Sequence, residues 1–510
     1  MEIIAIIALR WPDLVVIGIS FLILLAIAVV SARRSKSSED YFLAGRSIPG
    51  WVLGFSIMAT LVSAMTFLAL PATTYEFNWW HFPGNATFLI AVVVAVVLFV
   101  PFYRSAKFSS AYEYLERRFG TWARLYAAVC FLMFHVFRMG IVLYVVGLAV
   151  QAALGSDLVV ILAVLGVLVA AYTIVGGLQA VIWTDLFQGV ALILGGLICL
   201  PFIAAQLPDG FGQIIEVGSA DEKFSWSSSH VAQQGTWAVM CSKLVMFLMM
   251  LGTDQTAVQR YSAARSDKEA RNAVICGGLL AVPVWTYFFF IGTALYVFYK
   301  IVPDPAVMEL KTDQVFVHFI LTQLPAGVAG FVIVGLLAAA LSTLDSSINA
   351  CAATVTNDFY RRLWSRDRSS EHYAKVGRII SLFFGVLMIA TATVIHLNRA
   401  QGAVEDIQTV VLSVFGGGLL SLFLMGFLTR RVGSRSACVA TVVTVLFVAT
   451  WLLVDSTLAE VVPSVSRWLP DRIWIGVFSN VVLFSVGYGM SWICKTDKEK
   501  DLSGLTIWTR

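Results

Sequence analysis

Within the stretch LLAAALSTLDSSINACAATV, residues 336–355, the side chains of Ser342, Thr343, Asp345, Ser346, Ser347 and Asn349 interrupt a run otherwise long and apolar enough to cross a membrane. An ionised carboxylate in hydrocarbon costs about 2.5–3.5 kcal/mol even on insertion-based scales, so Asp345 must face a polar interior. At helical spacing Gly335, Ala338, Ala339, Ser342, Asp345, Ser346 and Asn349 form one stripe, while Leu337, Leu341, Leu344 and Ile348 form the opposite one. A hard monovalent cation stripped of water takes neutral oxygens and at most a carboxylate, which is what this stripe offers. The pattern predicts an alkali-cation site. A proton relay would use the carboxylate but not the hydroxyls, and a polar helix interface holding a protonated Asp345 is the plainer alternative.

Three more charges fall inside apolar segments: Arg138, Asp185 and Lys243. A guanidinium keeps its charge in hydrocarbon, and its fork matches a carboxylate, so Arg138 predicts an organic anion as ligand. The alternatives are an ion pair with a membrane aspartate or a side chain reaching back to the interface. Lys243, near the outer end of its segment, fits interfacial snorkelling better than ligand binding. Discontinuous helices are expected where Ser56, Thr60, Ser63 and Thr66 crowd one segment and where Gly416, Gly417 and Gly418 meet in another, because broken backbone at that depth has to line a cavity. Taken singly, such residues also bond to their own helix or allow close packing.

These residues need a membrane scaffold, and the composition supplies one. Of 510 residues 59% are hydrophobic and 13% charged, and the mean hydropathy is +0.84, which places the chain among polytopic membrane proteins. Thirteen apolar segments are expected, at 13–32, 51–75, 85–103, 124–153, 157–175, 181–205, 236–253, 273–299, 326–352, 377–396, 406–429, 434–455 and 473–494. The first reads as a retained helix, since it lacks a basic leader and a cleavage motif. With the N-terminus outside, 26 of the 35 Lys and Arg residues fall in cytoplasmic loops and the tail, among them four at 255–271, and seven fall on the other side. The seven cysteines lie singly, without metal-binding spacing, and the six histidines are scattered without a nucleophile–base pairing, so neither a redox protein nor an enzyme is expected. The net charge of +4 is not gathered on a soluble domain, so no nucleic-acid partner is expected. The expected partners are the bilayer of the cell membrane and a small solute, with the chain acting as a monomer.

Four stretches carry a family resemblance: DYFLAGRSIPGWVLGFSIMATLVSAMTFL, YTIVGGLQAVIWTDLFQ, GTDQTAVQRYSAARSDKEA and AAALSTLDSSINACAATVTNDFY. In this order they resemble the sodium/solute symporter family, whose members carry sugars, proline, vitamins, monocarboxylates or sialic acid with sodium. The resemblance implies an all-α membrane protein of the LeuT type, a single transport domain with two inverted five-helix repeats at 51–205 and 236–429. A helix at 13–32 precedes them, helices within 434–494 come after, and 495–510 forms a cytoplasmic tail. It implies sodium as the coupling ion, held at a main site by Ala59, Val62, Ala339, Ser342 and Thr343. A second cation site, found in some members, would comprise Asp185, Ser342, Asp345 and Ser346, with Asp345 standing where a two-sodium sialic acid transporter has serine. For the solute it implies Thr60, Ser63, Thr66, Asn85, Arg138 and Phe247, with Arg138 matching the arginine that binds a carboxylate in the sialic acid branch. His81, Asn85 and Leu61 depart from that branch. A neutral-sugar symporter, or a sensor or channel without coupled uptake, stands as the alternative.

Overall fold

The computed structural model of the chain describes residues 9–33, 35, 37–106, 108, 110–226, 235–398, 411, 414–455, 470–494 and 501–509. Among these, nine helices are long and apolar enough to span a membrane, and two more pairs each make one bent span. In chain order they are α1 (Trp11–Ala32), the bent pair α2 (Gly50–Leu61) and α3 (Ala64–Glu76), α4 (Phe82–Ser105), the short α5 (Ala111–Phe119), α6 (Thr121–Leu154) and α7 (Leu158–Ala205). Next come the second bent pair, α8 (Thr236–Gly252) and α9 (Gln255–Ala263), then α10 (Asp267–Ile301), α11 (Thr312–Gln323), α12 (Val328–Thr354), α13 (Ser370–Leu397), α14 (Leu419–Leu428), α15 (Ser434–Leu453) and α16 (Ile475–Ile493).

The segments expected at 157–175 and 181–205 follow one another without a loop along α7, with the backbone leaving helical geometry at Gly177 between them. There φ is +61°, and a Cβ would come within 2.6 Å of the Tyr41 ring, so glycine is required twice over. The glycine run of the eleventh segment interrupts its helix as expected: residues 414–416 are helical, Gly417 and Gly418 turn with φ +82° at Gly418, and α14 starts at Leu419. The first residues of that segment, 406–410, lie outside the described ones.

Helix α12 is the axis of the molecule. From Val332 to Thr354 every residue is buried, so its polar stripe faces protein and never lipid. It packs closely on α7 at Gly195 and Gly335, where a Cβ on the first would lie 3.3 Å from the Cα of the second. Its N-terminus is capped from a distance. Asp13 of α1, 1% exposed, accepts from the backbone N–H groups of Gly327 (2.7 Å) and Gly330 (2.8 Å), satisfying donors that a helix start leaves open. Arg10 adds a bond to the carbonyl of Leu324 at 2.8 Å. At the far end of the chain, residues 501–509 dock on α14, with Ile507 N–H on the carbonyl of Phe427 (3.0 Å) and the Trp508 indole on that of Leu428 (2.7 Å).

Candidate functional site

The first bent pair turns by 58° because Val62 (φ −88°, ψ 93°) and Ser63 (φ −93°, ψ 177°) are extended. An α-helix would have paired the carbonyls of Ala59 and Thr60 with N–H groups four residues on; here those partners have swung away. The freed acceptors point at α12. Ser342 Oγ donates to the carbonyl of Ala59 at 2.9 Å, and Thr343 Oγ1 reaches that of Thr60 at 3.5 Å. Both hydroxyls also lie 3.4 Å from the carbonyl of Ala339. Four of the five residues expected at the main cation site thus converge on one point, and Val62 forms the hinge beside them.

One turn along α12 the charges gather. Asp185, wholly buried, accepts from Ser56 Oγ and from Arg260 Nη2 at 2.9 Å, while its Oδ1 has no hydrogen-bond partner among the described residues. Asp345 Oδ2 accepts from Tyr172 Oη at 2.9 Å and sits 3.4 Å from Thr184 Oγ1, and its Oδ1 is 3.4 Å from Ser346 Oγ. The Arg260 guanidinium links Asp185 to Ser346, the chain neighbour of Asp345, donating to Ser346 Oγ and Thr60 Oγ1 at 2.7 Å each and to Ser56 Oγ at 2.8 Å. The expected pair Asp185 and Asp345 is therefore brought into one cluster, but with an arginine that the loop count places in solvent. Arg260 is 2% exposed and lies on α9, not in a cytoplasmic loop.

The second bent pair, turning by 47° at Thr253 and Asp254, has no counterpart among the discontinuities expected from sequence. Its freed carbonyls are met by tyrosines: Tyr261 Oη bonds Leu251 and Tyr103 Oη bonds Gly252, both at 2.7 Å. Asp254 caps α9 through Thr256 N–H at 2.8 Å. Gly-Thr-Asp with Thr256 two residues on is a helix stop and then a helix start, the one signal in the sequence that marks this break.

Arg138 of α6 is nine-tenths buried, and its Nη2 lies 3.4 Å from the carbonyl of Thr60, beside the hydroxyl that reaches the same carbonyl from Thr343. Among the described residues it forms no ion pair. Ser63 and Thr66 occupy the first turn of α3 just past the break. Asn85, buried in the first turn of α4, and Phe247, on α8, belong to neighbouring helices; the Phe247 ring packs on Phe88 (4.9 Å) and Trp285 (5.5 Å), farther from the hydrogen-bonded centre.

The residues fit a monovalent cation: a carbonyl freed by a break, two adjacent hydroxyls and a buried carboxylate oxygen without a partner are the oxygen donors such an ion takes. Among the described residues no His/Cys/Asp/Glu cluster suited to a transition metal occurs.

Beyond the Thr354 end of α12, where the chain continues as a π-helical stretch over Val355–Trp364, lies a second ion cluster. Glu116 of α5 accepts from Arg124 (2.6 Å) and Arg362 (2.7 Å), and Arg124 also bonds Asp358 at 2.6 Å.

Residues 41–444 match the sequence profile of the sodium:solute symporter family. The sodium/sialic acid symporter NanT of Aliivibrio fischeri is 32% identical over 436 residues, covering 83% of this chain and 85% of that protein. SiaT of Proteus mirabilis, also a sodium/sialic acid symporter, is 31% identical over 433 residues, 83% of this chain and 86% of that one. Among solved structures, a Na+-coupled sialic acid symporter in a substrate-bound outward-open state superposes with a TM-score of 0.86 at 28% identity, covering 96% of this chain and 98% of the other. The nucleobase-cation symporter Mhp1 superposes with 0.57 at 15% identity, over 90% of this chain and 95% of its own, a likeness of fold alone. Both are of the LeuT-type architecture.

Proposed function

The chain belongs to the sodium:solute symporter family and is a sodium-coupled symporter of a small organic solute; from that premise we propose that its solute carries a carboxylate, a sialic acid being the first candidate and sugar acids or monocarboxylates the next. The observation that carries this reading is Arg138. A buried guanidinium whose one hydrogen-bond contact among the described residues is 3.4 Å to a carbonyl keeps most of its fork for an anion, and no described aspartate forms an ion pair with it. Ser63, Thr66 and Asn85 then surround the solute with hydroxyl and amide groups and Phe247 closes the apolar side, whereas the Thr60 hydroxyl is committed to Ser56 (2.8 Å) and Arg260 (2.7 Å), so Thr60 borders the solute through its carbonyl beside Arg138.

Sodium would be held at the main site by Ala59, Val62, Ala339, Ser342 and Thr343. An ion there supplies a positive charge that ties the broken helix to α12, so that both halves move together. At the second site, formed by Asp185, Ser342, Asp345 and Ser346, charge arithmetic favours a cation. Two carboxylates and Arg260 sum to one negative charge, and one sodium ion brings the cluster to neutrality without displacing the arginine. With a serine at 345 the pair Asp185–Arg260 would already be neutral. Asp345 thus adds a negative charge for an ion to neutralise beside an intact buried ion pair, at the position where a two-sodium relative uses serine.

The two breaks, at 62–63 and 253–254, fall near the starts of the proposed repeats 51–205 and 236–429, which supports the inverted-repeat organisation. Thirteen crossings result if α7 counts twice and the segment ending in α14 once; an odd number with the basic loops inside puts the N-terminus outside and the C-terminus in the cytoplasm.

A thermal-shift screen of the purified protein tests the solute class. Sialic acid or another acid should raise the melting temperature in sodium and not in potassium, since a ligand that binds the folded state stabilises it by mass action. Stabilisation by neutral sugars alone, retained in Arg138→Gln, would sink the carboxylate reading.

A further inference from the structure

His135 lies one turn before Arg138 on α6, is wholly buried, and places its two ring nitrogens on two different elements. Its Nε2 is 3.0 Å from Asp254 Oδ2, the residue at the second helix break. Its Nδ1 is 2.9 Å from Ser347 Oγ on α12. Ser347 in turn donates its only proton to the carbonyl of Thr343 at 2.7 Å, so toward the ring it accepts. Asp254 is already occupied on Oδ1, by the N–H and hydroxyl of Thr256 at 2.8 and 2.6 Å, and offers Oδ2 as an acceptor. The ring thus bridges two elements, one nitrogen to each. No residue with one polar terminus can serve both neighbours at this span.

The chain of contacts has ends that matter. One is Thr343, whose hydroxyl faces the first break. The other is Asp254, which caps α9 and lies within electrostatic reach of Arg138; α9 also carries Arg260, whose Nη1 bonds the carbonyl of Thr256 at 2.8 Å. Before solute arrives, Asp254 is bonded to His135 and lies within electrostatic reach of Arg138. A solute carboxylate on Arg138 takes over part of that neutralisation and leaves Asp254 more fully to His135, which firms the bond through Ser347 to Thr343.

We propose that His135 is a positioning residue for symport, transmitting solute binding at Arg138 to the sodium ligands of α12 through Asp254 on one side and Ser347 on the other. This rests on the carboxylate and sodium assignments above. It requires no contact between His135 and either ligand. Linkage is reciprocal, so the same contacts must let sodium tighten solute binding.

The test measures the coupling factor, the ratio of sialic acid dissociation constants without and with saturating sodium, in the purified full-length protein. His135→Gln, which keeps a donor for one neighbour only, is expected to lower the factor about fivefold or more while leaving the sodium-free constant near its starting value. Ser347→Ala, a small change that spares the ring, should lower it similarly, and the double variant should lose no more than either alone. Ser347→Ala keeps the proposal testable if His135→Gln does not fold. An unchanged coupling factor in either folded variant, or two losses that simply add, overturns the proposal. A wild-type protein that binds sialic acid with no sodium dependence overturns it together with the functional reading, whereas dependence kept in wild type and in His135→Gln alike overturns this proposal alone.

Discussion

Arg260 Nη2 stands 2.9 Å from Asp185 Oδ2, with the two side chains 2% and 0% exposed. An ion pair so deeply buried gains little over an apolar pair, but removing one partner leaves an uncompensated charge, at a cost of about 3–5 kcal/mol. Arg260→Gln should therefore lower the melting temperature sharply and abolish uptake, because the cluster would then hold two carboxylates and no fixed cation. Adding Asp185→Asn should recover much of the stability without recovering transport. Melting curves and initial uptake of the two variants check this, and full stability in Arg260→Gln alone would exclude the pair as a structural element.

The contact of Ser342 Oγ with the carbonyl of Ala59 sets a second expectation. Ser342→Ala should raise the sodium concentration for half-maximal uptake and, by the same linkage, weaken solute binding at a given sodium level. Thr343→Ala should do the same more mildly, since its contact to Thr60 is longer at 3.5 Å. Sodium titration of uptake at matched expression decides. Unaltered sodium dependence in Ser342→Ala would remove that residue from the site.

Asp345, accepting from Tyr172 at 2.9 Å, is the carboxylate that Arg260 does not touch. If it shares an ion site with Asp185, a proton is the substitute when sodium is scarce, and the two should compete. Asp345→Ser should keep transport active while flattening its dependence on external pH between about 5.5 and about 8.5 at limiting sodium, and Asp185→Asn should impair it more. The double variant should resemble Asp185→Asn. An unaltered pH profile with additive losses would return Asp345 to the helix interface.

The loop helix α5 gives a pH expectation of the opposite kind. Burial alone would raise the carboxyl of Glu116, but hydrogen bonds from Arg362 and Arg124 outweigh it and hold the group at about 2. A carboxylate depressed on folding contributes stability in full above its unfolded value, near 4.5, and loses it as pH falls toward 2. Glu116→Gln should thus melt earlier than wild type at pH 7, with the gap narrowing only below about pH 4.5. A constant gap down to the lowest pH at which the protein stays folded would show that packing and not charge is responsible.

The first break was legible because Ser56, Thr60, Ser63 and Thr66 crowd a single apolar run, and hydroxyls there have few other uses. The stripe on α12 was legible for the same reason: a helix wholly buried writes its polar side as clearly as its apolar one. The second break was not. Gly252, Thr253 and Asp254 end an apolar run, and the residues after them, Gln255, Gln259 and Arg260 among them, have the composition of a solvent loop. Those residues find partners inside the protein: Gln255 Oε1 accepts from Ala111 N–H at 2.8 Å, Gln259 Nε2 reaches Asn349 Oδ1 at 3.2 Å, and Arg260 bonds Asp185. Hydropathy measures the residue and not its partner, so a polar helix paid for by internal hydrogen bonds reads as surface. Arg260 counts among the loop cations for that reason, and its bond to Asp185 has no local trace, the two being 75 positions apart.

The cap that Asp13 places on Gly327 and Gly330 joins residues more than three hundred positions apart. A ribosome therefore delivers the cap long before the helix it closes. When α12 emerges, α1 is already in the bilayer, with a carboxylate waiting at the depth where the new helix must begin, and Gly330 passes so close that a Cβ there would come within 2.5 Å of the Asp13 Cα. Asp13 on the first helix thus fixes the level at which the most polar one starts. An Asp13→Ala chain should insert α1 normally yet assemble slowly once α12 is made, a defect visible in the time course of protease resistance after synthesis and not in the topology of the finished protein.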